Sequence, residues 1–203
     1  MKKSSYLIVF AILLWGLQAC NNRSKDSVDL AEDANNTSQD TSVYRTVPDL
    51  GVATNESYND ADFAVQAADG GMTEEQLGKI ALTNAQDQRV KDFGQRMITD
   101  HGKANKELMT LAKEKGIVLP TTISRENSEH MADLNNKNGT TFDKDYMDMM
   151  VKDHKKTVQL FETASQQGKD ADIKAFATKT LPTLKQHLES ADSLNNSLKD
   201  VNQ

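Results

Sequence analysis

Residues 142–164 read FDKDYMDMMVKDHKKTVQLFETA. Phe142, Tyr146, Met150, Val158 and Phe161 recur at steps of three and four, with His154 in the same file. That period is the apolar stripe of an amphipathic helix, and the Lys and Asp residues between its members form the opposite, solvated face. A shorter copy of the pattern lies upstream. Met97-Ile98-Thr99-Asp100-His101 matches Met150-Val151-Lys152-Asp153-His154, and an aromatic residue precedes each at the same distance, Phe93 and Tyr146. Met-aliphatic-x-Asp-His twice on helical stripes points to a pseudo-symmetric helical bundle.

Working outward, four long helices can be drawn from the periodicity. The first spans about 60–85. Gly70-Gly71 is its weak point, and Thr73 with Gln76 offers a capping box, so the helix can break and restart there. The second spans about 88–115 and is stopped by Gly116, with Pro120 beyond. The third runs from about Thr141 to Gly168. The fourth follows Asp170, a good N-cap, and reaches about Lys199; Pro182 inside it is expected to kink it. Residues 117–140 are a long polar connection. Two short-loop hairpins joined by one long crossover make an all-α, ferritin-like four-helix bundle over residues 58–203.

The N-terminus has a separate logic. Met1-Lys2-Lys3 precedes an apolar run from Tyr6 to Leu17, then Leu17-Gln18-Ala19-Cys20. A basic start, a short apolar run and a small residue before the cut form a secretory signal, here over residues 1–19. The run falls short of the ~20 apolar residues that span a bilayer. Leu17-Gln18-Ala19-Cys20 is similar to a bacterial lipobox, in which the cysteine thiol is lipidated. Asn21 after it is the kind of residue that sorts such proteins to the outer membrane. The expected location is therefore the cell envelope, lipid-anchored at Cys20 to the outer membrane and facing the periplasm. Residues 21–57 are rich in Asn, Asp, Ser and Thr and poor in large apolar groups, which reads as a disordered tether.

Removing residues 1–19 takes away Lys2 and Lys3 and no acid, so the formal charge goes from −6 to −8. An acidic chain without a basic stripe argues against nucleic-acid partners. With Cys20 modified, the only cysteine is gone, which excludes disulfides and thiolate chemistry. There is no Gly-rich phosphate loop, no local serine-hydrolase signature and no CxxC.

The helical segments resemble the domain-of-unknown-function family 4142. The resemblance is carried by FAVQAADGGMTEEQLG at 63–78, VKDFGQRMITDHGKANKEL at 90–108, AKEKGIVLP at 112–120, the opening stretch at 142–164, and IKAFATKTLPTLKQHLESADSL at 173–194. It implies a ferritin-like bundle in the outer membrane or periplasm and supplies no established activity.

Three of the four histidines, His101, His154 and His187, fall on three different helices, each within its apolar stripe. Glu74 takes the corresponding place on the first helix. Residues equidistant from a hairpin loop lie side by side. Glu74 and His101 are centred near Asp87, His154 and His187 near Asp170, and each pair lies roughly 20 Å from its loop at ~1.5 Å per residue. All four should therefore meet in one buried layer. By ligand type such a layer suits one Zn, Fe, Mn or Cu ion; otherwise it is a polar core network that fixes helix register. Met97, Met147, Met149 and Met150 nearby keep copper in view, although methionines at helical spacing also serve as plain packing. Di-iron chemistry is disfavoured, because Ile98, Val151 and Leu184 stand three residues before the histidines where that site needs glutamates. Asp100 and Asp153 point away from the stripe and can orient neighbours, and His130 reads as a surface residue. Two functions follow: a non-enzymatic envelope lipoprotein with a binding or stress-related role, or a metal-binding protein using the Glu/His layer. A scaffold that docks a protein partner on its outer faces is a third.

Overall fold

The computed structural model describes residues 25–39 and 58–200; the expected signal segment, Cys20 and most of the expected tether lie outside them. Among the described residues are six helices and no strand: α1 (Ser27–Gln39), α2 (Asp60–Asn84), α3 (Gln88–Lys115), α4 (Arg125–Asn135), α5 (Gly139–Gln167) and α6 (Ala171–Asp200). None is long and apolar enough to cross a membrane.

The four long helices form a ferritin-like bundle. Polar side-chain caps start three of them, α2, α3 and α6. Asn59 accepts from the Ala61 N–H and Asp87 from the Arg89 N–H, both orphan donors of a first turn. Asp170 does the same for Asp172 and Ile173 at the start of α6. Gly116 closes α3 with φ of 68°, a left-handed conformation that glycine adopts without steric cost. α2 pairs with α3 and α5 with α6, and the hairpins meet through α2 against α5 and α3 against α6. Asp143 near the start of α5 accepts from the N–H groups of Gln86 and Asp87 in the first hairpin turn. Asp60 at the start of α2 accepts from those of Lys169 and Asp170 in the second. Each hairpin thus grips the turn of the other, and their relative height is fixed at both ends.

The interior divides into two apolar clusters. One, with Leu77, Phe93, Met97, Tyr146 and Met150, lies toward the first turn. The other, with Phe63, Leu108, Phe161, Phe176 and Leu184, lies toward the second. Along each of the four long helices the boundary between them falls at the candidate polar residue.

Three expectations are corrected. α2 does not break at Gly70-Gly71 but runs unbroken. A Cβ at Gly71 would stand 2.2 Å from Asn105 Oδ1, so this glycine serves a close approach of α3. The connection at 117–140 contains α4, capped by Ser124, which packs on α2 and α5. Residues 27–39, expected as tether, form α1. Asn35, 4 % exposed, exchanges two hydrogen bonds with the Val118 backbone, and Asp26 and Ser27 accept from the N–H groups of Arg125 and Thr121. Polar clamps hold this helix, so apolar periodicity gave no sign of it. Pro182 lies within α6, which continues past it to Asp200.

Candidate metal centre

Each long helix delivers one side chain to the plane between the two apolar clusters. Glu74 is 2 % exposed, His101 5 %, His154 0 % and His187 1 %, so all four sequence-selected residues are buried together. The three imidazoles form a nearly equilateral triangle, with ring centres 5.8, 5.4 and 5.5 Å apart. Each ring offers one nitrogen, and these nitrogens lie within 4.8 Å of one another. Glu74 sits beside them, Oε2 3.2 Å from His101 Nδ1 and Oε1 3.3 Å from His154 Nδ1.

The outer contacts of two rings assign their protons. His154 Nδ1–H donates to the Met150 carbonyl at 2.9 Å, and His187 Nε2–H donates to Asp100 Oδ2 at 2.8 Å. Their remaining nitrogens, His154 Nε2 and His187 Nδ1, carry lone pairs, and both are buried without a hydrogen-bond partner. His101 Nε2 and both Glu74 oxygens are in the same condition. The contacts of Glu74 with the two rings are close but lack hydrogen-bond alignment. An unsatisfied buried acceptor costs about 1–3 kcal/mol, a cost that either a bound cation or a closed hydrogen-bond network would remove. Of these five atoms the three imidazole nitrogens are grouped closely enough to hold one cation, with the Glu74 carboxyl beside the rings.

The electrostatics agree. Burial, reinforced by the charges of His154 and His187, pulls His101 well below its ordinary value. Burial lowers His154 to about 4, with the His187 charge adding and the Met150 carbonyl opposing. His187 is also lowered by burial, against the raising influence of Asp100. Burial, then the Asp153 charge, raises Glu74 to about 8. At neutral pH without a cation the histidines are neutral and Glu74 keeps its proton, so these contacts are dipolar rather than ionic. Neutral imidazoles are the form that coordinates metals.

Asp100 takes the orienting role that the sequence allowed it, and two further contributors, the Met150 carbonyl and the Tyr146 hydroxyl, were not anticipated. Asp100 does turn away from the stripe, yet its carboxylate orients His187 from across the helix interface; its place beside a stripe histidine was the available signal. The Met150 carbonyl, a backbone group, left none. Tyr146, fully buried with an unpartnered hydroxyl, lies close enough to Glu74 to feel its charge. The methionines Met97, Met147 and Met150 belong to the apolar cluster beneath the layer. His130 is exposed on α4. Among the described residues Glu74 is the one carboxylate within the histidine layer, which leaves no pair of bridging acids for two irons.

Fold and layer define a ferritin-like helical bundle whose core is interrupted by three imidazoles and a carboxylate. The chain belongs to the family described as Domain of unknown function (DUF4142), whose model matches residues 47–194. No curated protein matches it. Among solved structures, a DUF305 protein from Streptomyces coelicolor is similar with a TM-score of 0.59 and 12% identity, over 70% of this chain and 94% of that one. CopM in its Cu(II)-bound form is similar with a TM-score of 0.60 and 12% identity, over 70% of this chain and 98% of CopM. At that identity the likeness concerns the fold.

Proposed function

We propose that this protein is an envelope lipoprotein whose bundle sequesters one divalent transition-metal ion through His101, His154 and His187, with Glu74 completing or neutralising the site. The observation that carries the reading is the set of buried imidazole nitrogens left without partners, from three rings whose ligand atoms lie within 4.8 Å of one another. Metal-binding histidines characteristically donate their other N–H to a carboxylate or a backbone carbonyl, as His187 does to Asp100 and His154 to Met150. Three neutral nitrogens and one carboxylate favour a borderline divalent ion, and the stability order of such ions puts Cu(II) first. The similar fold of CopM, solved with Cu(II), supports that choice.

Sequestration fits better than turnover. The cavity bordered by Glu74 and His101 holds about 20 Å³, room for one water-sized group. Titration of the purified chain with Cu(II) and with Zn(II) tests the site: one ion per chain is expected, with binding abolished in His154→Ala. A chain that takes neither metal overturns the site. The anchor is tested separately by Cys20→Ser, which should lose acyl labelling and leave the membrane fraction; unchanged fractionation would refute it.

A further inference from the structure

A cleft of about 340 Å³ opens between α1, α2, α4 and α5 on the side covered by the crossover, and Glu74 forms part of its inner wall. Glu74 also borders the small inner cavity that His101 lines. One side chain, 2 % exposed and with both carboxylate oxygens buried and unpartnered, therefore stands between the outer cleft and the histidine layer.

The outer space is acidic. Asp69, Glu126 and Asp153 line it with a single cation, Lys156. Asp69 is occupied in fastening the crossover, accepting from the Ser124 N–H at 2.7 Å and from Asn127 Nδ2 at 2.8 Å. Asp153 is different. It is half-buried, and among the described residues it has no hydrogen-bond or ion-pair partner. The charges that act on it come from Lys152 and Lys156 of its own helix and from His130 and Glu126 of α4. Gly70 stands in the same wall. A glycine inside a helix costs about 1 kcal/mol relative to alanine. Here no neighbour demands it, because an added Cβ would meet nothing within 4 Å. The bare backbone keeps the cleft wide.

We infer that this cleft is the path by which a divalent cation reaches the histidines, with Asp153 as the transient outer ligand and Glu74 as the last carboxylate before the imidazoles. The inference rests on the histidine site proposed above. Carboxylates lining a cleft concentrate cations and speed their capture. A group on the path speeds loading and release alike, leaving the equilibrium unchanged, and that separates it from a ligand of the final site.

The test is stopped-flow loading of the purified full-length chain with Cu(II), followed by the visible absorbance of the bound ion, with release measured into excess chelator. Asp153→Asn should slow both loading and release by about tenfold, and removing its charge, which helps raise Glu74, should not weaken binding. Gly70→Leu, which adds bulk to open space without touching a ligand, should do the same and serves if the first variant folds poorly. Unchanged rates in both variants overturn the path while leaving the histidine site standing. A raised Kd in Asp153→Asn with normal kinetics in Gly70→Leu makes Asp153 a ligand of the final site and also overturns the path. A wild-type chain that binds no Cu(II) overturns path and site together.

Discussion

His187 Nε2 donates to Asp100 Oδ2 at 2.8 Å across the interface of α6 and α3, and this bond commits the opposite nitrogen of the ring to the interior of the bundle. The Asp100 side chain is 36% exposed, so it can be removed without opening the core. Without it, His187 can take the other tautomer, rotate and lose basicity. Asp100→Ala should therefore weaken metal binding by about 10- to 100-fold, the usual effect of losing such an orienting partner. A competition titration against a chelator reads this, with circular dichroism confirming unchanged helix content. An unaltered affinity would show that the bond leaves the site unaffected.

The buried titratable groups set a pH profile for the metal-free chain. His154 falls to about 4 on folding, and His101 and His187 shift the same way. Below pH 6.5 the unfolded chain therefore binds more protons, and stability is lost as pH falls toward 4. Glu74 is raised to about 8, so above its unfolded value the folded chain holds the extra proton and stability is lost as pH rises toward 8. Three histidines outweigh one glutamate on the acid side. Above 6.5 only the glutamate slope persists, at most about 1.4 kcal/mol per pH unit. Stability from urea unfolding should peak near pH 6.5, and Glu74→Gln should remove the alkaline decline. A flat profile through this range would contradict the burial of these groups.

The long helices and the four-residue layer were readable because both depend on period. A residue that recurs every three or four positions is assigned to a face, and distance from a turn assigns its height. His101, His154 and His187 needed nothing else, while Glu74 was singled out also by the family resemblance, as the glutamate after the double glycine. Gly71 was misread because its role belongs to Asn105 on another helix, which propensity cannot see. α1 was missed because Asn35 and Asp26 hold it through backbone hydrogen bonds, leaving no apolar stripe. The proton assignments of His154 and His187 needed partners that only the folded chain defines.

Two glycines of α2 should respond oppositely to the same change. A Cβ at Gly78 would stand 2.6 Å from the Gly94 carbonyl oxygen, where the α2 and α3 backbones touch. Gly78→Ala must push the helices apart at a cost of about 1–3 kcal/mol. Gly70 faces open space, and Gly70→Ala should stabilise by about 0.5–1 kcal/mol through helix propensity and a less flexible unfolded chain. Thermal unfolding of the pair checks both signs. If Gly78→Ala were as stable as the parent, the close crossing of α2 and α3 would be wrong.

The last prediction concerns α1, which lies between the expected lipid anchor and the bundle. Asn35 Nδ2 donates to the Val118 carbonyl at 2.9 Å while Asn35 Oδ1 accepts from the Val118 N–H at 2.8 Å, so one side chain replaces a backbone partner for the start of the crossover. Val118 is 45% exposed, and water can take over both of its groups once Asn35 is removed. Asn35→Ala should therefore cost only about 1–2 kcal/mol, the net worth of two such bonds. Because the long helices keep their own packing, that loss should be local. Hydrogen exchange is expected to quicken across residues 27–39 and in the crossover near Val118, while α2, α3, α5 and α6 keep their protection. Deleting the chain through Gln39 should leave the bundle folded with the same acceleration at Val118. If α1 keeps its protection in Asn35→Ala, apolar burial at Ala31 rather than the amide clamp holds the helix in place. If the long helices lose protection as well, α1 is an integral part of the bundle rather than a strap upon it.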